Sequence, residues 1–219
     1  MDLSEESFRR AILKACLAMN TMGINHGTAG NISARWQNGF LITPSGLPYD
    51  ELTCADLVFM RMDGTYEHSC LPSTEWRFHR DILRERPEIN AIVHAHPVYA
   101  TAFAICGMEI PAVHYMIAAA GGPSIPCAPY APFGTEELSG AVLRALSGRK
   151  CMLLANHGMI AAGGDLREAL WLAGEVETLC KQYAVALQVG TPRVLSEKDV
   201  QIAVEKLKDY GLRRKPNAA

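Results

Sequence analysis

Apolar positions recur near the 3.6-residue period over residues 7–22, where Phe8, Ala11, Ile12, Ala15, Leu17, Ala18 and Met19 form one stripe of a helix. Ser4, Glu6 and Ser7 supply polar capping groups ahead of it. Residues 23–30 are glycine-rich and must turn. The period then drops to two over residues 31–36 and 39–43, and Gln37-Asn38-Gly39 between them carries the Asn-Gly hairpin signal. Residues 56–62 read as another short strand that turns at Asp63-Gly64. Residues 75–84 return to the helical period, with Trp76, Phe78, Ile82 and Leu83 apolar and Pro87 beyond the end. Residues 91–96 form a strand that stops at Pro97, and residues 98–106 a helix that closes at Gly107. Residues 152–155 are a buried strand, and Asn156-His157-Gly158 follows it. The longest helical pattern covers residues 166–187, with Leu170, Ala173, Val176, Leu179, Cys180 and Tyr183 on one face. Ser196 opens a last helix, paired with Asp199 as a capping-box variant. Strands and helices mix without strict βαβ alternation, which predicts an α/β fold with a partly antiparallel sheet covered by helices.

Composition fits one such unit. The chain has 219 residues, 49% of them apolar and 20% charged, so residues 1–219 are expected to form a single domain rather than a disordered chain. Lys+Arg 21 against Asp+Glu 23 gives a net charge of −2, which argues against a dedicated nucleic-acid binder. No uncharged run reaches the ~18 residues of a membrane helix. The longest candidate, residues 113–129, is interrupted by His114, Gly121, Gly122, Pro123 and Pro126. The acidic start, Met1-Asp2-Leu3-Ser4-Glu5-Glu6, lacks the basic-then-apolar order of a signal peptide. The 7 cysteines are scattered without a C-x-x-C pair, as expected of free thiols in a reducing cytoplasm.

Three segments carry candidate chemistry. In His94-Ala95-His96 the strand period points both imidazoles to one side, a natural pincer for zinc or its neighbours in the divalent series. His157, between a buried strand and Gly158, stands at a strand end, and three histidines are the ligand count of a catalytic zinc site with an open position. In Leu71-Pro72-Ser73-Thr74-Glu75-Trp76, Ser73 and Thr74 precede a helix whose free N–H groups attract anions, and Glu75 is expected in the first turn. Gly27-Thr28-Ala29-Gly30-Asn31 and Thr43-Pro44-Ser45-Gly46 are small-residue turns that let backbone amides approach a phosphate, although no P-loop lysine follows. Taken singly, each has a plainer meaning: surface histidines, a core histidine, an ordinary N-cap, two ordinary turns.

Together these segments resemble the class II aldolase family from end to end. The resemblance rests on Gly27-Thr28-Ala29-Gly30-Asn31-Ile32-Ser33, Ile42-Thr43-Pro44-Ser45-Gly46, residues 71–79, His94-Ala95-His96 and Asn156-His157-Gly158. Residues 110–122 are especially like the fuculose-phosphate branch. The resemblance implies a single three-layer α/β/α domain in a C4 homotetramer with active sites at subunit interfaces. It implies a divalent metal, usually zinc with manganese, cobalt or iron(II) as alternatives, held by His94, His96 and His157. Glu75 completes the coordination in the empty site and otherwise serves as acid/base. Gly30, Asn31, Ser45, Gly46, Ser73 and Thr74 are implied to hold a substrate phosphate, Tyr115 to reach the neighbouring subunit's reaction centre, and Phe133 and Tyr210 to stand on the aldehyde side. Thr74 and Ser45 exchange hydroxyls with the family pattern, whereas Leu207 and the basic tail Arg213-Arg214-Lys215, within a terminal stretch 213–219, depart from it.

The implied activity is reversible cleavage of a ketose 1-phosphate to dihydroxyacetone phosphate and an aldehyde. L-Fuculose 1-phosphate is one candidate substrate, and apolar-ended 5-deoxyribulose or 5-methylthioribulose 1-phosphate are others. A methylthioribulose-phosphate dehydratase and a pentulose-phosphate 4-epimerase are alternatives on the same scaffold, although the epimerases carry Asp where this chain has Glu75. A non-catalytic domain like the adducin head is a further alternative.

Overall fold

The computed structural model describes residues 4–207. Tyr210 and the tail 213–219 lie outside the described residues. Among the described residues six helices and nine strands follow the order α1 (Glu5–Thr21), β1 (Asn31–Trp36), β2 (Gly39–Ile42), β3 (Val58–Arg61), α2 (Trp76–Glu85), β4 (Ala91–Ala95), α3 (Val98–Ile105), β5 (Ile110–Pro111), β6 (Ser124–Ile125), β7 (Cys127–Ala128), α4 (Glu136–Ala145), β8 (Cys151–Leu154), β9 (Gly158–Gly163), α5 (Leu166–Val189) and α6 (Glu197–Leu207). Short 3-10 turns occupy Cys54–Asp56 and Tyr115–Ala120.

Seven strands form one sheet in the order β3-β2-β1-β4-β9-β8-β7, and β5-β6 is a separate ribbon. Within the large sheet every pairing is antiparallel except β7 with β8. A partly antiparallel sheet is what the mixing of strands and helices without strict βαβ alternation predicts, and alternate residues of its strands feed two cores. On one face Ile32, Ala34, Leu41, Val93, Ala95 and Met159 pack under α1, α3 and α5. On the other, Phe40, Ile42, Met60, Ile92, Met152 and Ile160 pack under α2 and α4 through Phe78, Ile82, Leu138 and Val142. The result is the expected three-layer α/β/α arrangement. No helix among the described residues is long and apolar enough to cross a membrane.

Most element boundaries fall within two residues of those predicted, and the differences have local causes. The predicted strand 56–62 begins later, at Val58, because Thr53 and Asp56 close a capping box on the 3-10 turn before it. Helix α4, capped by Thr135, and strands β5 to β7 have no counterpart in the sequence reading; two-residue strands carry no period to detect. Ser196 caps α6 as predicted, its Oγ accepting the Asp199 N–H at 3.2 Å.

The centre of the sheet also sets how close its strand ends approach. Asn31 on β1 is in register with His94 on β4, and His94 with Ile160 on β9. Gly158, at the start of β9, lets that strand lie against the end of β4: a Cβ there would sit 2.5 Å from both the Ala95 carbonyl oxygen and His96 Cδ2. Gly158→Ala is therefore expected to cost the ~1–3 kcal/mol of an overpacked core, lowering the urea midpoint, and to disturb His96. An unchanged midpoint would show that β4 and β9 have room to separate.

Candidate active site

Four side chains converge at the ends of the central strands. His94 comes from β4, His96 from just beyond its end, His157 from the β8–β9 turn and Glu75 from the residue before α2. The ligand atoms of the three histidines lie within 4.8 Å of one another. Glu75 Oε2 is 3.0 Å from His94 Nε2, and Oε1 is 3.2 Å from His157 Nε2. Glu75 is the N-cap residue of α2 rather than part of its first turn, yet its side chain caps nothing and points at the imidazoles instead. The helix entrance is closed by Ser73, whose Oγ accepts the Glu75 N–H at 3.3 Å.

The local chemistry fits a divalent cation. The Met159 carbonyl only accepts, so His94 Nδ1 donates to it at 2.9 Å, which leaves Nε2 as the ring atom turned to the cluster. Nε2 faces Glu75 Oε2 and, at 2.9 Å, His96 Nε2. So many electron-rich atoms converging in a buried place require a shared proton or a cation between them. Glu75 Oε1 is itself buried and makes no hydrogen bond. Fixing a histidine ligand through its other ring nitrogen is the usual way proteins orient such a ring.

Electrostatics point the same way. Burial opposes ionisation of Glu75, but His94, then His157 and the Asn31 amide, outweigh it and hold the carboxyl well below the usual carboxylate range. Burial, with the neighbouring His94, pushes His96 down to about 3 and His157 down to about 4. Both rings are thus neutral near pH 7 and available as ligands.

A cleft of ≈ 370 Å³ opens beside this cluster. Of the residues singled out in the sequence, Gly30, Asn31, Ser45, Gly46, Ser73, Thr74, Glu75, Phe133, His96 and His157 line it. His94 lies beneath, fully buried. The two small-residue turns are tied to each other and to the segment before α2: Ser45 N–H donates to Leu71 O at 2.9 Å and Ser73 N–H to Thr43 O at 3.0 Å. Gly30, at φ +78°, has no space for a side chain, since a Cβ would meet Asn25 Oδ1 at 2.6 Å and His94 O at 2.7 Å. Tyr115 is not brought to this cleft. It is 53% exposed and lines a different cavity with Asp199, Ile202, Ala203, Lys206 and Leu207.

The structure adds residues that sequence reasoning passed over. Tyr130 and Asn156 line the cleft. Tyr130 and Phe133 belong to one proline-flanked loop, which Arg77 tethers to α2 by donating to Gly134 O at 2.8 Å. Asn156 adopts φ +55°, the left-handed bend that turns β8 into His157 and β9. His79, fully buried, hydrogen-bonds to Asn31 and Ser33. Its position four residues after Glu75, on the same helix face, was the available signal.

With this geometry in hand, comparison with known proteins is decisive. Residues 10–184 match the family model for the class II aldolase and adducin N-terminal domain. The chain belongs to the class II aldolase family. An L-fuculose phosphate aldolase of Escherichia coli (strain K12) is 51% identical over 212 residues, covering 96% of this chain and 99% of the relative. A 5-methylthioribulose-1-phosphate/5-deoxyribulose-1-phosphate aldolase of Rhodospirillum rubrum is 47% identical over 208 residues, covering 95% of this chain and 94% of the relative. A solved L-fuculose 1-phosphate aldolase superposes with a TM-score of 0.90 at 36% identity, over 95% of this chain and 98% of that one. This class II aldolase is therefore an enzyme, a lyase of a metal-dependent family with a three-histidine site.

The buried imidazoles make the metal-free protein acid-sensitive. Unfolded histidines take up a proton near pH 6.5, whereas folded His96 and His157 do so only at about 3 and about 4. Across that window the unfolded chain holds more protons, so stability falls as pH drops below about 6.5. Glu75, ionised in the folded state, adds to the loss below its unfolded value of 4.5. Thermal unfolding of metal-free protein is expected at lower temperature at pH 5 than at pH 7, and His96→Gln with His157→Gln should flatten that slope. An equal slope in the double variant would mean that these rings protonate freely when folded.

Proposed function

We propose that this class II aldolase reversibly cleaves an apolar-ended ketose 1-phosphate to dihydroxyacetone phosphate and a short aldehyde. The observation that carries the reading is the cleft itself. The histidine–carboxylate cluster forms one wall, hydroxyls and small-residue turns form another, and Phe133 and Tyr130 stand at the rim. L-Fuculose, 5-deoxyribulose and 5-methylthioribulose 1-phosphates fit such a cleft, and the named substrates of the relatives support the same set. An elimination or 4-epimerisation on the same scaffold is less well supported, because the relatives compared above carry aldolase names.

The roles divide among the chain's own residues. The hydroxyls of Ser45, Ser73 and Thr74, with Gly30, Gly46 and Asn31, bind and orient the phosphate; among the described residues no Lys or Arg lines the cleft, and neutral donors with the α2 N-terminus hold it. A divalent cation on His94, His96 and His157, zinc by resemblance with manganese, cobalt or iron(II) as alternatives, supplies Lewis-acid stabilisation of the negative charge that develops on bond cleavage. Glu75, as acid/base, exchanges a proton at C3 of the dihydroxyacetone phosphate half. Tyr115 from a neighbouring subunit moves a proton at the C4 oxygen. Its exposure away from its own cleft supports this reading and a C4 homotetramer with shared sites. Phe133 faces the aldehyde, a role that the family resemblance also gives to Tyr210. Residues 1–219 act as one catalytic domain, and seven free thiols support a cytoplasmic setting.

Two measurements test this reading. Release of dihydroxyacetone phosphate should follow from the three apolar-ended sugars, should be poor from fructose 1-phosphate, and should vanish with a chelator and return with zinc, manganese or cobalt. An apolar pocket discriminates by only about 1–3 kcal/mol per methylene, so measurable release is expected from all three. Chelator-resistant cleavage, or preference for the polar-ended sugar, would overturn the proposal. Separately, Glu75→Gln should lower kcat by the ~10²–10⁴ of a general acid–base group, and Tyr115→Phe should also be inactive. Mixed tetramers of the two variants should regain activity. No recovery in confirmed mixed tetramers would confine Tyr115 to its own subunit.

A further inference from the structure

We propose that His79 is a positioning residue for Glu75, acting through Asn31; the proposal rests on the acid–base reading of Glu75. Ser33, His79, Asn31 and Glu75 form one buried chain of hydrogen bonds, with exposures of 0%, 0%, 4% and 6%. The direction of every bond follows from its end. The Glu75 carboxylate only accepts, so Asn31 Nδ2 donates to Oε2 at 3.0 Å. The Asn31 amide oxygen then faces His79 and accepts from its Nε2–H at 2.5 Å. That leaves the lone pair on His79 Nδ1, which accepts from Ser33 Oγ–H at 2.7 Å. One tautomer of His79 and one orientation of the Asn31 amide satisfy all three bonds. Reversing the amide would set its oxygen against the carboxylate and its N–H₂ against the donor nitrogen of His79.

Asn31 is thus held at both ends, and Glu75 Oε2 receives its donor from a fixed direction. The other oxygen, Oε1, is left without a hydrogen bond and turned towards His157. His79 sets which carboxylate oxygen is tied down and which is left for chemistry. His79 itself belongs neither to the cleft lining nor to the three-histidine cluster, and it reaches the cleft through Asn31, which lines it.

The test compares His79→Gln, His79→Asn and His79→Leu in the purified, metal-loaded enzyme. Gln places an N–H near the position of the ring Nε2; Asn places one near Nδ1 and leaves Asn31 without its donor; Leu supplies neither. Partners behind a site's ligands typically contribute about 10–100-fold. His79→Leu and His79→Asn should therefore lose about that much kcat, with KM within about threefold and one metal per subunit by elemental analysis. His79→Gln should recover most of the loss. If His79→Leu does not fold, the two polar variants carry the same contrast. Adding His79→Asn to Glu75→Gln should cause little further loss, because both act on one carboxylate. Nitrogen-15 NMR of the metal-free protein should show the His79 ring as the neutral Nε2–H tautomer. Equal loss in the Gln and Asn variants, loss confined to KM or metal content, additivity with Glu75→Gln, or the Nδ1–H tautomer would each overturn the proposal. If Glu75→Gln keeps full kcat, the acid–base reading fails as well; if Glu75→Gln is inactive and His79→Asn is not, only the role of His79 fails.

Discussion

Burying the Glu75 carboxylate is the constraint on which the rest of the site depends. An ionised group taken from water is tolerated only where paired charges or donors replace the water. Here the replacements are His94, His157 and the Asn31 amide, each from a different element. Asn31 is in turn held by His79, and His79 by Ser33. The geometry allows this because one helical step of four residues advances about 6 Å and two strand residues advance about 6.6 Å. Glu75 and His79 along α2 therefore meet Asn31 and Ser33 along β1 in step, and a polar ladder joins the helix to the sheet.

The ladder sits inside an otherwise apolar contact. Ile82 and Leu83 of α2 join the core beneath it, and Phe78 stacks on His79 and meets the His94 ring edge-on at 5.6 Å. Apolar packing brings α2 to the sheet, and the polar ladder decides its register and rotation. Moving α2 from this position would leave a carboxylate, an amide and an imidazole unpaired, a penalty that adds to the apolar packing in fixing one arrangement.

The cleft divides its work unevenly. One side is built from turns pinned by backbone hydrogen bonds, with Gly30 admitting close approach of the chain. The other is a loop held to α2 by the Arg77–Gly134 hydrogen bond, with Tyr130 62% and Phe133 70% exposed. A pinned polar wall rejects an ill-matched ligand strongly, whereas an exposed aromatic rim rejects weakly. Relatives with fuculose-phosphate and pentulose-phosphate names at similar identity are what such an unequal division would produce.

Local pattern in the sequence was enough for the long elements, the two-faced sheet and the metal-ligand candidates. Residues such as Ile92 and His94 alternate on a strand, and Phe78 and Ile82 repeat on a helix, so period alone tells where they face. The same pattern marked Ser73, Thr74 and the glycine turns as candidate anion contacts. It had no hold on β5 to β7, whose two residues each are too few for a period, or on α4, which the reading passed over. Nor did it foresee that Glu75 would leave the first turn of α2 and cap nothing, since only the histidines across the sheet give that carboxylate somewhere better to point. Tyr130, Asn156 and His79 needed the tertiary structure too. The partners of His79, Asn31 and Ser33, stand 48 and 46 residues away in sequence. Period and spacing report only what a residue's own element dictates; which polar groups share a buried volume is decided when the elements pack.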